Sequence, residues 1–258
     1  MLLLPIVLGT GVAGLGSVLL AALINPSASS KFAPDMLSFA AGALLSTACL
    51  HLLPEAFEGG IDAKSICTAL LAGLVLFFVL DKAELWHHGH EHHANEANHD
   101  EPDHHHGNAT GGVWAVLVGD SVHCFGDGLL IAAAFISDMR LGALASLAVL
   151  THEIPHHLGD LTVVRSGPNG RQRAAMKVSL AGAVTVIGGL VGYFLVEPLK
   201  PHMPYFLTAA ASSFVYVALA DLIPQLQKHV GPAKSVRSIF WVLFGITVVA
   251  LTTTFDVN

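Results

Sequence analysis

The run His152-Glu153-Ile154-Pro155-His156-His157-Leu158-Gly159-Asp160 sits inside an otherwise apolar segment. At about 100° per residue a helix gathers His152, Glu153, His156, His157 and Asp160 into an arc of about 140° and leaves the opposite side apolar. Ionisable groups at bilayer depth cost roughly 2.5–3.5 kcal/mol each on insertion scales, and they persist where they face a bundle interior, water or an ion. Imidazole and carboxylate are the usual ligands of zinc and similar divalent metals. The run therefore reads as half of a metal site inside a membrane-spanning helix.

The rest of the chain agrees. Hydrophobic residues fill 53% of 258 positions and charged residues 12%, and the mean hydropathy is +0.63. That balance excludes an ordinary soluble domain and predicts an all-α integral membrane protein in a lipid bilayer. The 16 histidines outnumber the 12 Lys and Arg together, which suggests metal handling before any motif is read. Lys and Arg are too sparsely clustered for a nucleic-acid partner, despite a formal charge of −7 that says little either way. Cys49, Cys67 and Cys124 lack the paired spacing of a disulfide framework or a thiolate zinc site, and two of the three read as packing residues.

Eight spans are expected, at 2–24, 36–57, 61–81, 112–136, 141–164, 175–196, 204–226 and 237–255, each near the ~20 residues that cross a bilayer. Gly9, Gly11, Gly14 and Gly16 in the first offer close helix contacts. A cleaved signal peptide is the rival reading of that segment, disfavoured by the lack of a basic start and by the length of the apolar run. The whole of 1–258 then forms a single transmembrane domain, with a His-rich loop at 84–111 inside it.

Eight crossings put Lys31, Lys82, Arg165, Arg171, Arg173, Lys177, Lys228, Lys234 and Arg237 on one face, and Lys64, Arg140 and Lys200 on the other. The excess of basic residues marks the first face as cytoplasmic, so both termini lie outside and the His-rich loop inside. Aligning His51 with Asp221 lays Leu52-Leu53-Pro54-Glu55 over Leu222-Ile223-Pro224-Gln225. The two segments run in opposite directions, as in an inverted repeat that relates helices 1–3 to helices 6–8 around central helices 4 and 5.

The loop holds His87, His88, His90, His92, His93, His99, His104, His105 and His106 among acidic residues, with little to bury. It reads as a solvated linker that binds metal weakly, or as a cytosolic metal buffer or sensor. The second half of the intramembrane site lies in Asp120-Ser121-Val122-His123-Cys124-Phe125-Gly126-Asp127-Gly128, where Asp120, His123, Cys124 and Asp127 share one helical face. His51, Glu55, Asp120, His157, Asp160 and Asp221 are candidate pathway residues, set near proline kinks or toward the cytoplasmic helix ends.

These residues resemble the ZIP (Zrt/Irt-like) family of divalent metal transporters. His123-Cys124-Phe125-Gly126-Asp127-Gly128 is similar to the family's His-Asn-x-x-Asp-Gly, and residues 152 to 160 to its His-Glu-x-Pro-His-Glu-x-Gly-Asp. His51-Leu52-Leu53-Pro54-Glu55, the eight spans and the His-rich loop extend the likeness over nearly the whole chain. The resemblance implies uptake of divalent metal ions toward the cytosol across a plasma or inner membrane, through a binuclear site, by a homodimer. The implied first site is His123, Asp127, His152 and His156, and the second Cys124, Asp127, Glu153 and His156, with Asp127 and His156 bridging. Cys124 replaces an asparagine of that pattern and His157 a glutamate. Ligand softness leans toward Zn²⁺ as substrate, with Fe²⁺, Mn²⁺ and Cd²⁺ open.

His152-Glu153-x-x-His156 also satisfies the H-E-x-x-H motif of zinc proteases, in which glutamate is the general base. An intramembrane metalloprotease is thus the alternative. Pro155 inside the motif and a surplus of ligands over the three of a catalytic zinc favour transport.

Overall fold

The computed structural model describes residues 2–24, 26–89, 109–164, 170–224 and 232–254. Those residues fold into long helices, named here α1 (Leu3–Leu23) and α2 (Phe32–Glu58), α3 (Ala63–Gly89), α4 (Ala109–Ser137), α5 (Met139–Val164), α6 (Gly170–Val196), α7 (Pro198–Ala220) and α8 (Pro232–Thr254). Among the described residues there is no strand.

Among the described residues seven helices, all but α5, are long and apolar enough to cross a membrane. The 26-residue α5 is equally long, but Arg140, Glu153, Asp160 and its histidines interrupt its apolar character. Helix α3 runs on to Gly89 and α4 begins at Ala109, so helix extends into both ends of the expected 84–111 loop. His87 and His88 fall on the last turn of α3, whereas His90, His92, His93, His99, His104, His105 and His106 lie outside the described residues.

Local sequence explains how the helices start and bend. Asp138 caps α5, its Oδ1 accepting the Arg140 and Leu141 backbone N–H groups at 2.8 and 3.2 Å. Asp62 caps α3, accepting the Ser65 backbone N–H at 3.0 Å and the Ser65 hydroxyl at 2.6 Å. Those bonds hold the exposed Asp62 carboxyl below its usual range. In α2 a π turn at Ala48–Leu52 precedes Pro54, and at the end of α7 a π turn at Val217–Leu222, which carries the helix past Ala220, precedes Pro224. Proline cannot donate to the carbonyl one turn back and its ring crowds it, and a widened turn relieves the clash.

Helix α4 packs along α6 and beside α5, and α1 lies against α5 and α6. Helix α2 packs along α8, and α3 along α7, while α2 also meets α5. Small residues permit the closest of these approaches. A Cβ on Gly128 would collide with the α6 backbone at Thr185, and one on Gly188 with the Phe125 carbonyl of α4. Gly14 of α1 meets the Gly182 carbonyl in the same way, and Gly9 meets Phe135 and Ser146, but Gly11 has nothing nearby.

The α3 and α8 helices form the periphery. Leu71, Leu76, Phe78, Phe240 and Leu243 are exposed there, as suits contact with acyl chains. Cys49 and Cys67 are also exposed and Cys124 is buried, so the expectation that two of the three cysteines pack in the interior is corrected to one. Arg237 of α8 pairs with the buried Asp35 of α2.

Candidate metal centre

Alternation of ligands along α4 and α5 brings two groups of side chains face to face. The first comprises His123, Asp127, His152 and Glu153, and the second Asp120, Cys124, Glu153 and His157; within each, one ligand atom per residue lies within 4.8 Å of all the others. Glu153 belongs to both. Its Oε1 is 3.4 Å from the Nε2 atoms of His123 and His152, and its Oε2 is 3.1 Å from His157 Nε2 and 3.5 Å from Cys124 Sγ.

In the first group the remaining separations are 3.3 Å between the two imidazole Nε2 atoms, 3.2 Å from His152 to Asp127 Oδ2 and 3.8 Å from His123 to the same oxygen. Zinc bonds of about 2.0–2.3 Å in tetrahedral array place neighbouring ligands about 3.3–3.8 Å apart. The observed spacings match that polyhedron. The His152 Nδ1 atom lies 3.2 Å from the Ala148 carbonyl. A carbonyl only accepts, so Nδ1 carries the proton and Nε2 turns its lone pair to the group.

The centre is dry on most sides. The side chains of His152, Asp127 and Glu153 are at most 3% exposed, whereas that of His123 is 28% exposed and forms the open edge. Asp120 Oδ2, Asp127 Oδ2 and Glu153 Oε1 are buried and receive no hydrogen bond among the described residues. Three carboxylates converging in a low-dielectric interior are strongly unfavourable alone, and a divalent cation offsets both their repulsion and their lost hydration.

His156 falls outside both groups, and its ring stacks on that of His123 with centroids 5.5 Å apart. Asp120 and His157, expected along the pathway, are drawn into the second group instead. Asp160 is buried one turn further along α5. His51 Nε2 lies 3.3 Å from the Thr252 hydroxyl of α8, and Glu55 Oε1 accepts from Ser137 at 3.4 Å, so both link helices rather than join the centre. Asp221 lies in the π turn that follows on from α7.

Sequence reasoning missed Ser17. Its hydroxyl reaches His157 Nδ1 at 2.9 Å from a helix 140 positions earlier. Nothing local marks it; the signal is the π turn and Gly14 directly before it, which bring α1 against α6.

A multi-pass helical membrane protein with clustered imidazoles, carboxylates and a thiol buried between two of its helices is a metal-handling membrane protein in class. Comparison with known proteins narrows this. The family profile described as ZIP Zinc transporter matches residues 1–108 and 82–253, and the chain belongs to that family. Members of the family are transporters rather than enzymes, which sets aside the protease reading of His152-Glu153-x-x-His156. The chain is 28% identical over 247 residues to Zinc transporter ZIP13 of Pongo abelii, covering 89% of this chain and 69% of that one. It is 25% identical over 283 residues to a ZIP13 homolog of Drosophila melanogaster, covering 88% and 79%. Human Zinc transporter ZIP4 is 37% identical over 132 residues, which span 51% of this chain but only 19% of the relative.

Proposed function

We propose that this chain moves zinc across the bilayer toward the cytosol, through two cation positions joined by Glu153 between α4 and α5. The observation that supports this most strongly is the meeting of two four-ligand groups at one buried carboxylate. In this reading α5 is an eighth span. Its polar face is turned inward to the centre, so its low apolar content reflects the cargo it serves rather than a position outside the membrane.

The orientation rests on the loops. With eight spans the basic segment after α5 and the His-rich segment before α4 share the cytosolic side. The step from His123 to Asp120 on α4 and from Glu153 to His157 on α5 then leads toward the cytosol in both helices. Metal enters by the exposed edge at His123, exchanges water for ligands, and leaves by way of the second group. Ligands at both positions permit transfer without a single site tight enough to trap the ion. Matching π turns before Pro54 and Pro224 support the inverted repeat that relates α2 to α7.

Purified protein in liposomes containing a zinc-sensitive dye tests the proposal. Saturable zinc entry is expected, and His123→Ala and His152→Ala are expected to abolish it at equal protein content. Wild-type rates in both variants would reject the centre as the transport site.

A further inference from the structure

The two departures from the ZIP motifs, Cys124 and His157, meet in space. Their Sγ and Nε2 atoms are 3.9 Å apart, and both face Glu153 Oε2 and Asp120. We infer that Asp120, Cys124, Glu153 and His157 form a thiophilic cation position one helical turn from the His123–His152 group, and that Ser17 of α1 holds His157 as an Nε2 ligand. The inference rests on the reading of α4 and α5 as a cation site and specifies its second half.

The geometry of the group suits a four-coordinate ion. Cys124 Sγ lies 3.5 Å from Glu153 Oε2 and 3.8 Å from Asp120 Oδ1, and His157 Nε2 lies 3.1 Å from the same Glu153 oxygen and 3.7 Å from Asp120 Oδ2. These separations bracket the ligand-to-ligand distance of about 3.3–3.8 Å expected around tetrahedral zinc, in which bonds to sulfur are the longer ones. Asp120 Oδ2 is buried and receives no hydrogen bond among the described residues, and Cys124, Glu153 and His157 are fully buried.

Ser17 decides what His157 offers. The buried Ser17 hydroxyl donates its single proton to the Gly14 carbonyl at 2.6 Å. A hydroxyl so committed can only accept at its second contact, so His157 Nδ1–H donates to Ser17 Oγ across 2.9 Å. The other ring nitrogen, Nε2, then presents a lone pair to the two carboxylates and the thiol. A lone pair aimed at two carboxylates, with one weak thiol proton that Cys124 turns to the carboxylates, suits a cation between them, and the outer partner sets ring angle and tautomer as it does for metal-bound histidines generally. A thiol, an imidazole and two carboxylates prefer Zn²⁺ and Cd²⁺ over Mn²⁺ or Mg²⁺, and binding releases the thiol proton.

Cadmium titration of the full chain in lipid nanodiscs tests this, in a Cys49→Ala, Cys67→Ala background that leaves Cys124 as the only thiol. A near-ultraviolet thiolate-to-cadmium absorption band is expected to saturate and to vanish in Cys124→Ser. His157→Gln and Asp120→Asn are expected to raise the cadmium midpoint of that band by at least ten-fold. Ser17→Ala should raise it about 10-fold or more, the scale for losing an outer-shell partner, and Ser17→Thr, which keeps the hydroxyl and tests whether any loss is merely one of packing, should restore it. A midpoint moved by His156→Gln but not by His157→Gln overturns the position, and one unmoved by Ser17→Ala overturns the role of Ser17. Absence of the band in protein that still takes up zinc overturns this inference alone; absence of both band and uptake overturns the transport reading as well.

Discussion

Glu153 is the residue on which both proposed cation positions rest, because each of its oxygens faces a different group. Glu153→Gln keeps the shape and removes the charge, and a neutral amide is a poor partner for a divalent ion. We expect zinc bound per chain, measured by mass spectrometry of desalted protein, to fall at both positions together, whereas Asp127→Asn weakens the first more than the second. Acid acts on the same chemistry. Imidazole, carboxylate and thiol ligands must shed protons to bind metal, so lowering pH makes protons compete with zinc. Uptake at limiting zinc should fall on acidification and be restored by excess zinc; a loss that zinc does not reverse would point to unfolding instead. The motif residues were legible at this scale because their types and helical spacing suffice to place them on one face. The assignment of His156 and His157 was not, since the two differ by one position and only the packing of α4 and α1 against α5 selects His157.

Helices meet here through glycine. Gly128 and Gly188 let α4 and α6 approach until backbone touches backbone, and this contact holds the ligand face of α4 toward α5. Gly128→Val should push the two helices apart and destabilise the protein by about 1–3 kcal/mol, the scale of overpacking in a close-packed interior. A lowered melting temperature in detergent would register it, and an unchanged one would count against the close contact. Capping is testable at the same scale. The Asp62 carboxyl is held below its usual range by Ser65, so its ionised form stabilises the folded chain above the ordinary carboxylate range and that contribution fades as pH falls through its lowered value. Asp62→Ala should therefore lower the melting temperature at neutral pH and narrow the gap to wild type in acid. Hydropathy revealed the other helices directly, but α5 only by its motif, because its histidines and acids dilute its apolar character.

At the level of the whole molecule, both groups are supplied by α4 and α5 with α1 behind them. Deleting 90–108 and joining the ends with a flexible linker should leave saturable zinc entry in liposomes intact, with regulation by zinc load as the property at risk. Loss of entry in a folded deletion variant would place part of the transport path in that segment. The amino-acid sequence by itself determined the class of the protein, the ligand faces of two spans and the family. Those follow from local rules: lipid demands apolar helices with satisfied backbones, and a helix arranges its residues at a constant angle. Only the tertiary structure decided that Glu153 lies in both groups, that Asp120 and His157 join Cys124, and that the Ser17 hydroxyl reaches His157. Each of those depends on how far apart and at what rotation separate helices pack, and that is set by many small contacts between residues distant in the chain, such as Gly14 on Gly182 and Gly128 on Thr185.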